Sequence, residues 1–269
     1  MTAEELVAAA DDGTPLAVSV SGAGPPLLMI PGLGSARRVY DPIVPLLADR
    51  HRVVVYDQRG IGASGLTEGP YTMAQLASDA VAVLDAVAEP HAAVWGASMG
   101  GMVAQHVGLD HPGRTSALLL ACTGPGGAHA VRADREATRA LLGKGARTPA
   151  EAYRMACTVM YTPAFQAAHP EFIDEQVRER GSHPVHGRVF GWQYEAVLGH
   201  DTYERLPSIT ASTLVLHGTD DAVMPVGNAE VLVSRIPGAR LQLFDGLGHL
   251  FFHEDPQAAA AAILGFLVG

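Results

Sequence analysis

Ser98 stands in the stretch GASMG (96–100), directly after the aliphatic run AAVW (92–95). A serine hydroxyl is a weak nucleophile until a base removes its proton. A reactive serine therefore needs an exposed Oγ, an imidazole within reach and donors ready for an oxyanion. AAVW reads as a strand and MVAQHVGLDH (102–111) as a helix, so GASMG is a strand-to-helix turn with Ser98 at its apex. The glycines at 96 and 100 let neighbouring segments approach that turn without a clash. The same turn puts the Met99 N–H at a helix start, where a free donor and the positive end of the dipole face the hydroxyl. Ser64 has Gly62 before it but Leu66 where the second glycine belongs, so it does not repeat the pattern.

Twelve histidines compete for the role of base. His249, in GLGHLFF, follows the strand-like RLQLF and lies in a glycine-rich loop able to carry an imidazole over a sheet edge. His253 is the nearest rival, but HEDP reads as a helix start with Asp255 as N-cap and Pro256 at the first position. His217 ends a strand and reads as a packed neighbour. His51, His91, His111, His169 and His183 lie beside turns or prolines and read as surface or capping residues. The base in turn needs an acid to fix its tautomer and stabilise the imidazolium. LHGTDDAVMP (216–225) offers Asp220 and Asp221. One should face inward and the other be solvated, and the spacing alone does not separate them.

These residues must be positioned by a sheet. Short aliphatic runs at 15–20, 26–30, 52–57, 92–96, 116–122, 212–218 and 239–245 each end in a turn signal, as strands covered on both faces do. Helix-period stretches such as YTMAQLASDAVAVLDAVA (71–88) lie between them. The pattern predicts an α/β fold with a mostly parallel sheet flanked by helices. The alternation stops between 124 and 206, where short helical stretches are broken by Gly and Pro, and resumes for the last two strands. Residues 1–123 and 207–269 thus read as one catalytic domain and 124–206 as a helical cap. Met155, Tyr161, Phe190 and Trp192 in that cap are candidates for the roof of an apolar substrate pocket.

The formal net charge of −10 argues against nucleic-acid and anionic-membrane partners. The cap carries ten basic and ten acidic residues, the remainder eight and eighteen. That split fits a solvated surface with no further message, or a cap that does not repel an anionic substrate. Cys122 and Cys157 are in no metal-ligand spacing and read as buried thiols in a reducing cytoplasm. MTAEELVAAADDG lacks the features of a secretion signal, and no window supplies the about 18 apolar residues of a membrane span. The expected location is cytoplasmic; no feature of the sequence specifies an oligomeric state.

With strand–Gly-x-Ser-x-Gly–helix, a later Asp after a strand and a final His, the chain resembles the α/β-hydrolase superfamily, and within it the serine esterases and enol-lactonase-like enzymes. The order Ser98, Asp221, His249 matches that family's nucleophile, acid and base. The resemblance favours Asp221 over Asp220, because the family's acid usually lies four residues before a proline, as Asp221 does before Pro225. It also makes MIPGLGSA (29–36) the oxyanion loop, with the Leu33 N–H joining that of Met99, although Pro31-Gly32 replaces the usual His-Gly. YDQRGIGASG (56–65) resembles the family's turn after its fourth strand. Its Gly60-x-Gly62-x-x-Gly65 also fits a dinucleotide fingerprint, but LTEGPYT follows where a helix should open, so no cofactor is expected. No metal is implied. The resemblance implies hydrolysis of a small-molecule carboxylic ester or lactone. Carbon–carbon bond hydrolysis or cofactor-free perhydrolysis on the same triad is the alternative. A ligand-binding receptor with a vestigial triad is the non-enzymatic one.

Overall fold

A computed structural model describes residues 3–268. Along the chain run β1 (Glu4–Ala9), β2 (Pro15–Ser21), β3 (Pro26–Ile30), α1 (Val44–Ala48), β4 (Arg52–Tyr56), α2 (Met73–Ala86), β5 (Ala92–Ala97), α3 (Met99–Asp110) and β6 (Thr115–Ala121). Five helices follow: α4 (Arg135–Leu141), α5 (Pro149–Met160), α6 (Pro163–Ala168), α7 (Pro170–Ser182) and α8 (Gly187–Leu198). The sheet resumes with β7 (Ser212–Gly218), α9 (Gly227–Arg235), β8 (Arg240–Phe244), α10 (Phe251–Glu254) and α11 (Pro256–Leu267). The eight strands form one sheet in the order β1-β2-β4-β3-β5-β6-β7-β8. β2 pairs antiparallel with β1 and β4, and every other pairing is parallel.

The aliphatic runs are continuous because both sheet faces are buried. Leu28, Ile30, Val94, Leu118 and Leu120 pack on one side against α2, α3 and α9. Their alternates Leu27, Met29, Trp95 and Leu119 pack on the other against α1 and α11. β1 lies outside the expected strands: it is an edge strand in which Ala8 alone is buried and Val7 faces solvent, so its LVAA stretch is not covered on both faces. His51 is a second correction, since it is buried and not a surface residue. Of the helices between β6 and β7, α4, α5 and α6 start at side-chain caps, as Asp134, Thr148 and Thr162 each accept the N–H of the third helical residue. The expected start at 255–256 is present too, with the Asp255 carboxylate accepting from the Ala258 N–H at 2.9 Å.

The 56–65 segment is a turn and not a helix-opening loop. Asp57 accepts from the Arg37 and Ala63 N–H groups at 2.7 and 3.0 Å, and the Ser64 hydroxyl donates to Asp57 O at 2.6 Å. Arg59, fully buried, makes two 2.6 Å bonds to the buried Asp79 carboxylate of α2. Breaking such a pair leaves a charge without its counterion. Asp79→Ala is expected to lower stability by about 3–5 kcal/mol in urea denaturation; a loss below about 1 kcal/mol would mean that Asp12, the other carboxylate on Arg59, suffices alone.

Candidate active site

β5 delivers Ser98 to the sheet's carboxyl edge and α3 begins immediately after it. The backbone there is forced left-handed, with φ 56° and ψ −121° at Ser98, which a non-glycine residue keeps only when its surroundings over-determine it. The two glycines show how. A Cβ on Gly96 would stand 2.0 Å from Gly100 O, and one on Gly100 would stand 2.0 Å from Ile30 O. Ser98 N–H donates to Ala121 O at 2.9 Å, and the Thr123 hydroxyl donates to Ser98 O at 2.8 Å. Between buried neighbours, Ser98 keeps partial exposure.

The loop after β3 passes directly over this turn: a Cβ on Gly32 would stand 3.3 Å from Ser98 Cβ. Pro31-Gly32 in place of His-Gly leaves the loop well held. Tyr40 donates to Ile30 O at 2.7 Å, Gln58 to Pro31 O at 2.6 Å, and the Gly34 N–H donates to Gln193 Oε1 of α8 at 2.8 Å. Among the described residues the Leu33 and Met99 N–H groups donate to no protein acceptor, and both residues line the cavity that Ser98 lines.

His249 follows β8 and lines the same cavity. Its Nδ1 lies 2.8 Å from Asp221 Oδ2. A carboxylate can only accept, so Nδ1 carries the proton and Nε2 is left with its lone pair free. Asp221 is buried while Asp220 is exposed. Asp221 Oδ1 accepts from the Val223 and Met224 N–H groups, both at 2.8 Å. His217 Nε2, which must donate to Met224 O at 2.6 Å, also lies 3.2 Å from Asp221 Oδ2. Burial pushes the Asp221 carboxyl up, but His249 and then His217 act against it more strongly and hold it at about 2. His253, the rival base, has both nitrogens occupied, by Tyr161 Oη at 2.9 Å and by Val39 O at 2.6 Å. Burial takes its pKa down to about 4.

The cavity has a volume of about 350 Å³. Of the four cap residues expected in its roof, Phe190 lines it and Met155, Tyr161 and Trp192 do not. The cause is helix phase. Tyr153, Ala156 and Met160 of α5, and Phe190, Tyr194 and Val197 of α8, point into the cavity at spacings of three, four and seven. Met155 and Trp192 lie between those positions, on other sides of their helices, and Trp192 packs instead on Tyr71 at 5.4 Å. Tyr161 is buried against Phe165 and His253. Gln193, Arg180 and the contact of His217 with Asp221 were not anticipated from the sequence. For His217 the signal was its place four residues before Asp221 at a strand end.

The profile of the alpha/beta hydrolase fold matches residues 25–256. The chain belongs to this α/β-hydrolase family. A protein of Azorhizobium caulinodans, provisionally named carbamate hydrolase RutD, is 31% identical over 92% of this chain and 92% of its own length. The poly(3-hydroxyalkanoate) depolymerase of Ectopseudomonas oleovorans is 31% identical over 90% of this chain and 84% of its own. Among solved structures, the enol-lactonase of Burkholderia xenovorans LB400 superposes with a TM-score of 0.83 at 25% identity, covering 98% of this chain and 100% of that one. Among the described residues, no helix of this α/β hydrolase is long and apolar enough to cross a membrane. Cys122 and Cys157 are both buried and free.

The depressed Asp221 pKa fixes the sign of a pH effect. Its ordinary value of 3.8 lies above the folded-state value, so the stability it contributes is present above about pH 4 and is lost as pH falls toward about 2. Urea denaturation across that interval should show a decline that Asp221→Asn makes shallower. An equal slope in the variant would mean that the carboxylate is not held ionised by its imidazole partners.

Proposed function

We propose that the protein hydrolyses a carboxylic ester or lactone through an acyl-enzyme on Ser98, with His249 as base and Asp221 as its orienting acid. Residues 1–123 and 207–269 act as the catalytic unit, and 124–206 as the cap over the cavity. The observation that carries this is the 2.8 Å contact of His249 Nδ1 with Asp221, which leaves Nε2 free to accept a proton in the cavity that Ser98 shares. Similarity to an enol-lactonase and to a polyester depolymerase supports the substrate class.

In this mechanism Ser98 Oγ bonds to the carbonyl carbon as His249 Nε2 takes its proton. The oxyanion accepts hydrogen bonds from the Leu33 and Met99 N–H groups, which were already free of protein acceptors. The carbon–oxygen bond to the leaving group then breaks, and His249 returns the proton to the departing alkoxide. A lactone's alcohol stays tethered to its own acyl group. Water next adds to the acyl carbon, giving a proton to His249. Collapse of that second intermediate breaks the bond to Ser98, whose oxygen recovers the proton, and the acid leaves. Asp221 keeps Nδ1 protonated throughout and stabilises the imidazolium without taking its proton.

Turnover of p-nitrophenyl acetate and butyrate tests this. Ser98→Ala and His249→Ala are each expected to cut kcat about a thousandfold or more, and the double variant to lose little beyond either single one. A Ser98→Ala protein as active as the parent would overturn the proposal.

A further inference from the structure

Among the described residues the cavity is lined by two guanidinium-bearing residues, Arg180 of α7 and Arg132 ahead of α4, and by no Asp or Glu. In a chain with 28 acidic and 18 basic residues this is a local reversal of sign. Arg180 is half-buried, with its guanidinium 5.3 Å over the Tyr153 ring. Its Nη2 comes within 3.0 Å of where a Cβ on Gly34 would stand, next to Leu33. Among the described residues it makes no ion pair and no hydrogen bond. The carboxylate beside it in sequence, Glu179, is taken by Arg38 and His183. Burial works against its charge, pulling its pKa below the usual 12.5 although Tyr153 opposes this. Arginine nonetheless stays charged at any working pH.

A cation drawn partly out of water without a counterion is unfavourable. Here it faces the space that a substrate of Ser98 would fill. We infer that Arg180 binds a free carboxylate on the substrate, so that the preferred ester or lactone is an anionic one. The planar fork of a guanidinium matches the two oxygens of a carboxylate, and the Tyr153 ring lies 5.3 Å beneath it. Arg132, exposed and without an ion pair among the described residues, adds a second positive charge to the same cavity wall. The balanced charge of residues 124–206 has the same consequence, since the chain's excess of carboxylates lies outside that segment. This inference rests on the acyl-enzyme proposal for Ser98.

The test compares p-nitrophenyl hemi-esters of glutaric and adipic acid with neutral p-nitrophenyl esters of equal chain length. The wild-type protein should show a higher kcat/KM on the carboxylated series, and rising ionic strength should erode that preference mainly through KM. Arg180→Gln should reduce the carboxylated-to-neutral ratio of kcat/KM by about tenfold or more, with Arg180→Lys recovering part of it. Glutarate should compete with a neutral ester in the wild type and much less in Arg180→Gln. The ratio is insensitive to a simple loss of folded protein, and the ionic-strength arm needs no variant. Ser98-dependent turnover with no preference for the carboxylated esters, or a preference that Arg180→Gln leaves intact, would overturn the inference and leave the acyl-enzyme proposal standing. Turnover of both series that survives Ser98→Ala would bring down both.

Discussion

A backbone contact that admits no side chain governs this molecule: Gly100 lies so close to Ile30 O that a Cβ between them would be 2.0 Å from that oxygen. It presses the start of α3 against the end of β3. Three consequences follow from one approach. Ser98 is held in a left-handed conformation at the end of β5. The N–H of Met99 is left at a helix start with no carbonyl to meet. The loop carrying Leu33 is brought across the serine. Strain of order 1–3 kcal/mol at such a residue persists only because the bonds to Ala121 and from Thr123 fix the peptide on both sides.

Electrostatics then act around a buried carboxylate. Asp221 accepts four contacts, two from backbone N–H groups and two from imidazole nitrogens. That many donors overcome the desolvation of a buried carboxylate. The result is a fixed negative charge behind His249, which shares its cavity with Leu33 and Met99, whose N–H groups are unpaired among the described residues, and with Arg132 and Arg180. In the proposed mechanism polarity runs from acid through imidazole to hydroxyl to oxyanion donors. That is the direction in which charge must move when an ester carbonyl is attacked.

The parts of this arrangement legible in the sequence are those whose partners are near in the chain or whose pattern is forced by burial. The GASMG turn is local, and the aliphatic runs report a sheet covered on both sides. β1 was less legible because it is an edge strand with one buried residue, and its short LVAA stretch follows two glutamates with no turn signal before it. Residue type alone does not place a roof residue: Trp192 and Met155 lie between the inward-facing positions of their helices and point elsewhere. Choosing by phase from Phe190 would have found Tyr194 and Val197. The grip of Gln193 on the Gly34 N–H was beyond sequence reasoning, since the two lie 159 residues apart and nothing local marks either. Arg180 was hidden for a different reason: it stands out by having no partner among the described residues, which only packing reveals.

The most direct test is to locate a covalent adduct. After exposure to a fluorophosphonate, peptide mass mapping should find one phosphonyl group per chain, on the peptide bearing Ser98, with ester turnover lost in proportion to labelling. Labelling at another residue, or undiminished turnover once Ser98 is modified, would contradict the role assigned to the turn between β5 and α3.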